Sequence, residues 1–486
     1  MDWTRFRKHI IGIDQQYETP YGMVKMVYAD WTAGGRLYRP IEKKLMHDLG
    51  PFVGNTHTET NVTGTSMTLA YQEAHRIIKR HCGAGPNDVI INAGFGMTAA
   101  VNKFQRILGL RLPDQFRDCI DVNVRCRPVV FISHMEHHSN QTSWEETIAE
   151  VVIVPPDERG LIDLNRVEDE LKKYRDRPIK FGAFTAASNV TGIITPVHEL
   201  ARLMHRYGGW CFIDYAAAAP YVEINMHPGD EEAKLDAVYF SPHKFLGGPG
   251  SSGVLIFDKE LYKNRVPDQP GGGTVLWTNP WHEHHFIDDI ELREDGGTPG
   301  FLQAIRGALA IRLKEQMTVE AILAREKEQV ERLFDGLRSL PDIHILADNV
   351  TERLGIFSLY VHNLHYNLMV RLLNDRFGVQ VRGGCSCAGT YGHYLLHVDP
   401  TRSKEMTDRI DRGDLSAKLG WVRISIHPTM TDAELDFIVD AVRQIMRYGK
   451  RWGEEYRYDP HTNEFTHKER PIDLTPLIDR WYRLED

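Results

Sequence analysis

Short apolar runs separated by helix-patterned stretches dominate the first three hundred positions. Residues 88–92, 129–132, 151–154 and 181–184 read as strands, as do 210–213, 237–240 and 254–257. Val129-Val130-Phe131-Ile132 has no polar member at all. Continuous apolar runs of this length mark strands covered on both faces of a sheet. Between them the period changes. In 196–207, Val197, Leu200, Met204 and Tyr207 recur at helical spacing, Pro196 suits the first turn and Gly208 suits the stop. This alternation predicts an α/β domain around a mostly parallel sheet.

The texture changes near residue 300. Residues 302–337 predict one long helical segment rich in Ala, Leu, Arg and Glu. A strand at 356–360 and a helix at 433–446 follow, which predicts a smaller α+β domain. The expected organisation is an N-terminal segment, 1–27, associated with that small domain, a large domain over 28–300, a small C-terminal domain over 301–449, and a tail over 450–486. The tail is polar and aromatic (Trp452, Tyr456, Tyr458), has no clear period, and is expected to wrap the surface.

Composition narrows the class. The chain has 486 residues, 42% hydrophobic and 26% charged, ordinary for a globular protein with a large core. A formal charge of -9 argues against nucleic-acid binding. Six cysteines are too sparse for a disulfide framework and fit a reducing compartment. The first residues lack a signal-type apolar segment, and no apolar run is long enough to span a bilayer. A soluble, cytoplasmic protein without membrane partners is the expectation.

Two charges change the picture. Asp214 ends the run Trp210-Cys211-Phe212-Ile213, and Lys244 follows Ala237-Val238-Tyr239-Phe240 within Ser241-Pro242-His243-Lys244. Burying either at a strand end is costly unless it has a partner. Pyridoxal phosphate uses this pair, a lysine for its imine link and a carboxylate against its ring nitrogen. Such a lysine must be neutral to react, which desolvation beside a cationic group favours. The alternative for each residue is a buried salt bridge.

Other segments add candidates. Gly94-Phe95-Gly96-Met97-Thr98 joins a strand to a helix, where free N–H groups and the positive dipole end suit a phosphate. Ser241 and His243 are placed to meet the same phosphate. Ser133-His134-Met135-Glu136-His137-His138-Ser139-Asn140 offers a histidine to stack on a flat cofactor. It also raises a metal site, as does Trp281-His282-Glu283-His284-His285, but neither has a zinc spacing and no metal is assigned. The second cluster reads better as a solvated loop. Asn189, after another strand, is a candidate for the ring hydroxyl, or an ordinary turn asparagine. Arg382-Gly383-Gly384-Cys385-Ser386-Cys387 carries two cysteines in a glycine-rich turn, either nucleophilic or structural. Arg423, in a strand pattern, is placed to hold a carboxylate, or is a surface arginine.

From about Tyr28 to about Arg447 the chain resembles the class V aminotransferase family of pyridoxal-phosphate enzymes. It is most similar to the cysteine desulfurase and selenocysteine lyase branch. The resemblance is carried by Ser241-Pro242-His243-Lys244 with Gly247-Gly248-Pro249-Gly250, by Met135 to Asn140, by Ser188 to Gly192, and by Arg382 to Ala388. It implies the type I fold of these enzymes. It implies that His137 stacks on the ring, Asn189 meets its hydroxyl and the substrate, Asp214 pairs with its nitrogen, and Lys244 forms the imine. Gly96, Met97, Thr98, Ser241 and His243 would hold the phosphate, and Thr298 would reach that of a neighbouring subunit in a homodimer with shared active sites. Ala33, Arg382 and Arg423 would line the pocket for a small amino-acid substrate, and Cys387 would receive its sulfur for a possible acceptor protein.

This sequence departs from the branch at three places. Ala217 stands where a glutamine is usual, Cys385 and Ser386 stand where histidines are frequent, and 392–420 looks inserted. The expected function is desulfuration of L-cysteine. The alternatives are an aminotransferase, an epimerase or another C–S or C–Se lyase, and, outside enzymes, a non-catalytic scaffold.

Overall fold

The computed structural model describes residues 1–119, 123 and 126–484. The chain forms two compact units, each discontinuous in sequence. The first comprises 1–11, 31–327 and 352–354; the second comprises 12–30, 328–351 and 355–486. The expected cuts at 28 and 300 differ from these. Residues 301–327 stay with the first unit because helix Phe301–Met317 packs along helix Val62–His81.

The first unit is built on seven strands: β1 (Asp88–Ala93), β2 (Val129–Ser133), β3 (Glu150–Val154), β4 (Lys180–Thr185), β5 (Trp210–Asp214), β6 (Ala237–Phe240) and β7 (Gly253–Asp258). Their order across the sheet is β1-β7-β6-β5-β4-β2-β3. All neighbours are parallel except β7, which runs antiparallel to both β1 and β6. Two reversals cancel, so β1 points the same way as the parallel five. The carboxyl ends of six strands therefore emerge on one edge, where α/β sheets place their ligand crevices.

Every residue of β2, β4, β6 and β7 is buried, as continuous apolar runs predict. Helix α1 (Met97–Ile107) lays Phe104 against Phe212 of β5, with ring centroids 4.9 Å apart at 73°. Trp144, in the helix α2 (His138–Glu145), packs on the same ring. Burying each aromatic contributes about 2–3 kcal/mol. Helix α3 (Val197–Arg206) buries Leu200, Ala201 and Met204; Pro196 caps it from just outside, and Gly208 takes the left-handed backbone beyond its end (φ 67°). The helical segment expected over 302–337 is two helices, α4 (Phe301–Met317) and Val319–Arg338. They break at Thr318, whose φ of 54° no helix accommodates.

The second unit carries a four-stranded antiparallel sheet of β8 (Ile343–Ile345), β9 (Ile356–Val361), β10 (Arg382–Gly384) and β11 (Trp421–Ser425), in the order β8-β9-β11-β10. Residues 392–420 supply the end of helix α5 (Gly389–Leu395) and helix α6 (Pro400–Asp411). The tail is more ordered than its sequence implied. Residues 450–453 complete the helix Asp432–Gly453, and Tyr456–Asp459 pairs with Glu464–His467 as a hairpin. Tyr456 donates to the Asp375 carboxylate (2.9 Å) and Asn367 donates to Asn463 O (2.6 Å), so tertiary hydrogen bonds give the tail the order its pattern lacks. Among the described residues no helix is long and apolar enough to cross a membrane.

Candidate active site

A cavity of 510 Å³ opens at the carboxyl edge of the first unit's sheet. It gathers nine of the residues singled out above: Gly96, Met97 and Thr98, His137 and Asn189, Asp214, and Ser241, His243 and Lys244. The topology explains the meeting. Thr185 ends β4, Asp214 ends β5, and Ser241 follows β6, so residues far apart in sequence arrive side by side on neighbouring parallel strands.

Part of the cavity's lining is a cradle for an anion. Helix α1 starts at Met97, whose N–H donates to Ser241 Oγ (2.8 Å). Thr98 Oγ1 lies 2.7 Å from Ser139 Oγ. His243 Nδ1 bonds Phe95 O (2.9 Å), which places its proton on Nδ1. Burial pushes the His243 pKa down, and the neighbouring Lys244 pushes the same way. Gly96 admits no side chain: a Cβ there would come within 2.8 Å of His243 Cε1 and 2.9 Å of Ser241 Oγ. Hydroxyls, an imidazole and a helix N-terminus around a glycine are the donor set a phosphate needs.

The same cavity holds the two charges. Asp214 is 3% exposed, and its Oδ1 accepts from Ala216 N–H (2.8 Å). Burial pushes its pKa up to about 6, against the Ala216 N–H and the positive charge of Lys244. Lys244 closes a single turn, Pro242–Lys244, with its N–H on Ser241 O (3.0 Å). A cationic ring nitrogen beside Asp214 would reverse the cost of ionising it. The cavity therefore fits pyridoxal phosphate on its own chemistry: its lining combines an anion cradle, a buried acid, an amine and a histidine. His137 accepts the Ser139 N–H on Nδ1 (3.1 Å), which leaves the proton of its neutral ring on Nε2.

Thr298 and Ala33 do not line this cavity; Thr298 donates to Asn55 Oδ1 (3.1 Å) and Ala33 is half-buried. His134, His137 and His138 do not converge: His134 is buried with Nε2 on Gly160 O (3.1 Å), and burial pushes its pKa down to about 4. Among the described residues no group of three or more His, Cys, Asp or Glu side chains is arranged to hold a metal ion.

In the second unit Arg382 of β10 and Arg423 of β11 face each other in register. Like charges directly opposite are destabilising. Asp30 resolves the conflict, taking Arg423 at 2.8 Å and Arg382 at 3.1 Å. It is held beside β11 by the Ser425 N–H on Ala29 O (2.7 Å). Arg423 is buried, and burial pushes its pKa down while Asp30 holds it up. The trio carries one net positive charge, the complement of one carboxylate. Cys387 is exposed and Cys385 half-buried.

Two residues escaped the sequence reading as partners. Asp30 lay in the stretch beside Ala33, but nothing in its spacing pointed to Arg423. In the sequence Glu136 stands out only as a member of the histidine-rich stretch 133–140. It is buried, with Oε1 accepting from Ser133 Oγ (2.6 Å) and Thr185 N (3.0 Å) and Oε2 from Asn140 (2.8 Å). It thereby ties the His137 loop to the end of β4. Burial pushes its pKa up to about 8 despite these donors. The available signal was its place just after the all-apolar run Val129-Val130-Phe131-Ile132, where a carboxyl is costly to bury.

Comparison with known proteins bears on the family and the fold. The family model for aminotransferase class V matches residues 27–438. A probable cysteine desulfurase of Halalkalibacterium halodurans is 27% identical over 371 residues, covering 75% of this chain and 84% of the relative. One of Halobacterium salinarum is 26% identical over 366 residues, covering 74% and 82%. The fold matches a cysteine desulfurase structure from Thermococcus onnurineus with a TM-score of 0.73 at 21% identity, over 91% of this chain and 98% of that one. It matches another from Escherichia coli at 0.71 and 19%, over 92% and 99%. With the family model spanning most of its length, this chain belongs to the aminotransferase class V family.

Proposed function

We propose that the protein is a pyridoxal-phosphate-dependent cysteine desulfurase, converting L-cysteine to L-alanine with the sulfur held on Cys387. The observation that carries this reading is the convergence of Lys244, Asp214 and the Gly96–Ser241–His243 cradle in one cavity, with an exposed cysteine turn on the second unit. The curated relatives named as cysteine desulfurases support the same reaction.

Thr98, Ser241 and His243 would hold the phosphate, His137 and Asn189 the ring, Asp214 its nitrogen, and Lys244 its carbonyl carbon. Bound there, pyridoxal phosphate supplies an electron sink for bond breaking at the substrate Cα. Arg423, with Arg382 and Asp30, binds and orients the substrate carboxylate. Lys244 Nζ takes the Cα proton as general base. Cys387 attacks the substrate sulfur, its new S–S bond forming as the substrate C–S bond breaks. The balance is L-cysteine plus the Cys387 thiol giving L-alanine plus the Cys387 persulfide. Thr298 would serve the phosphate of the partner in a homodimer, and a sulfur-acceptor protein would take the product sulfur in the cytoplasm.

The test is incubation of the purified protein with a panel of amino acids, following the cofactor spectrum, alanine and sulfide. L-cysteine should yield alanine, Cys387→Ala should lose sulfur transfer and keep the chromophore, and Lys244→Ala should lose the chromophore. Full desulfuration by Cys387→Ala, or a keto-acid requirement with no sulfide, would refute the assignment.

A further inference from the structure

The turn that carries Cys387 holds a second thiol at a defined spacing. Ala388 N–H donates to Cys385 O (3.0 Å), so residues 385–388 form a closed β-turn. Its two central residues, Ser386 and Cys387, have φ of 53° and 56°. Positive φ at both centres is the signature of the mirror-image type I turn, usually built from Gly, Asn or Asp. Holding two other residues there costs about 1–3 kcal/mol each.

The surroundings keep the turn in place. Trp421, fully buried on β11, donates its Nε1–H to Ser386 Oγ (3.2 Å). Gly384, just before the turn, pairs with Trp421 across the sheet, and helix α5 begins at Gly389, just after it. Clamped on both sides, the turn presents two cysteines rather than a mobile loop with one.

The spacing has a chemical consequence. Residues i and i+2 across a helical backbone step lie about 5.4 Å apart at Cα, whichever hand the step takes. Disulfides span Cα separations of about 4.4–6.8 Å. Ser386, the residue between, takes the left-handed step, so Cys385 and Cys387 fall in that range. Cys387 is exposed, Cys385 is half-buried beside it, and Arg423 is close enough to Cys387 for their charges to interact.

We propose that Cys385 is a resolving cysteine for sulfur held on Cys387, an inference that rests on the desulfurase reading. The Cys385 thiolate attacks the Sγ of the Cys387 persulfide. A Cys385–Cys387 disulfide forms, the sulfane S–S bond breaks, and hydrosulfide leaves with the bonding pair. Resetting the pair takes two electrons from a dithiol, which is itself oxidised to a disulfide. Sulfur that no acceptor takes from Cys387 then leaves as free sulfide, turnover by this route continues while a dithiol is present, and the enzyme stops with its nucleophile masked when dithiol runs out. Trp421 acts as a positioning residue for the pair.

The experiment separates this from the parent reading. Reduced, desalted wild-type protein and Cys385→Ser are loaded with inorganic polysulfide, which charges Cys387 without using the cofactor. Free thiols are then blocked, and the peptide containing 385–387 is weighed without reduction while sulfide is measured. Wild type should release sulfide and yield a peptide two hydrogens lighter than the dithiol form, restored by dithiothreitol. Cys385→Ser should retain the extra sulfur on residue 387, with decay slowed about tenfold or more, the intramolecular advantage being lost. A persulfide in wild type that lives as long as in Cys385→Ser, or sulfur that moves to Cys385 without closing a disulfide, overturns the inference. Alanine production from L-cysteine is measured in parallel. Its absence sinks the desulfurase reading alone, because polysulfide loading still reports whether the two thiols resolve.

Discussion

Lys314 offers a quantitative test of how the first unit is held together. It lies on α4, fully buried, and donates to Ala219 O (2.7 Å) and Val222 O, with His81 Nε2 at 3.3 Å. Those carbonyls belong to the turn that follows β5, the same turn that lines the active-site cavity with Ala216 and Ala217. Burial pushes the Lys314 pKa down to about 7. A neutral amine has two N–H groups, which match the two carbonyls. A lysine depressed in the folded state contributes stability that is present above its unfolded pKa and lost as pH falls through the folded one. With values of about 7 folded and about 10.4 unfolded, the wild type gains roughly 2 kcal/mol from this group between pH 7 and 9. Lys314→Met removes that gain and leaves two carbonyls unsatisfied, at about 1–3 kcal/mol each, a cost that does not vary with pH. Thermal unfolding of cofactor-free wild type and variant, followed from pH 7 to 9, isolates the titrating part. The difference in Tm between them should widen across that window by about 2–3 °C. Parallel curves would show that Lys314 keeps its charge in the folded protein, and the argument from its two carbonyl partners would fail.

Two more outcomes are expected. Glu136→Gln removes a carboxyl that burial raises to about 8, whose contribution is complete below its unfolded pKa and lost as pH rises through the folded value. The variant should escape a fall of about 1 kcal/mol between pH 7 and 9, read in the same melts, and an unchanged slope would count against a neutral Glu136. Asp30→Ala leaves Arg382 and Arg423 opposed with Arg423 buried, and should cost about 3–5 kcal/mol in the stability of the second unit, measured by hydrogen exchange on β10 and β11; a loss under about 0.5 kcal/mol would show that the pair does not need its carboxylate.

The sheet was legible because its strands are buried on both faces. A strand with no solvent side needs no polar residue, so β2, β4 and β6 stand out as apolar runs with no alternation to decode. The cofactor candidates were legible for a related reason. Asp214 and Lys244 are charges at the ends of such runs, and a charge is costly where the neighbours are apolar. The break at Thr318 was not legible, because a helical pattern runs through it and only a positive φ interrupts the backbone. The hairpin at 456–467 was hidden too. Its strands carry no clean alternation, and their anchors are hydrogen bonds to Asp375 and Asn367, some ninety residues away.

By itself, the sequence determined the α/β class, the positions of the strands, and the acid and lysine that call for a cofactor, since each follows from local burial. Only the tertiary structure decided which distant residues meet. It placed Asp30 between two arginines that share a register, seated Glu136 against the end of β4, and set Ser386 and Cys387 in a left-handed turn under Trp421. The physical reason is that hydrogen-bond partnership and backbone hand depend on the approach of segments from 35 to 393 residues apart, and no local pattern records that approach.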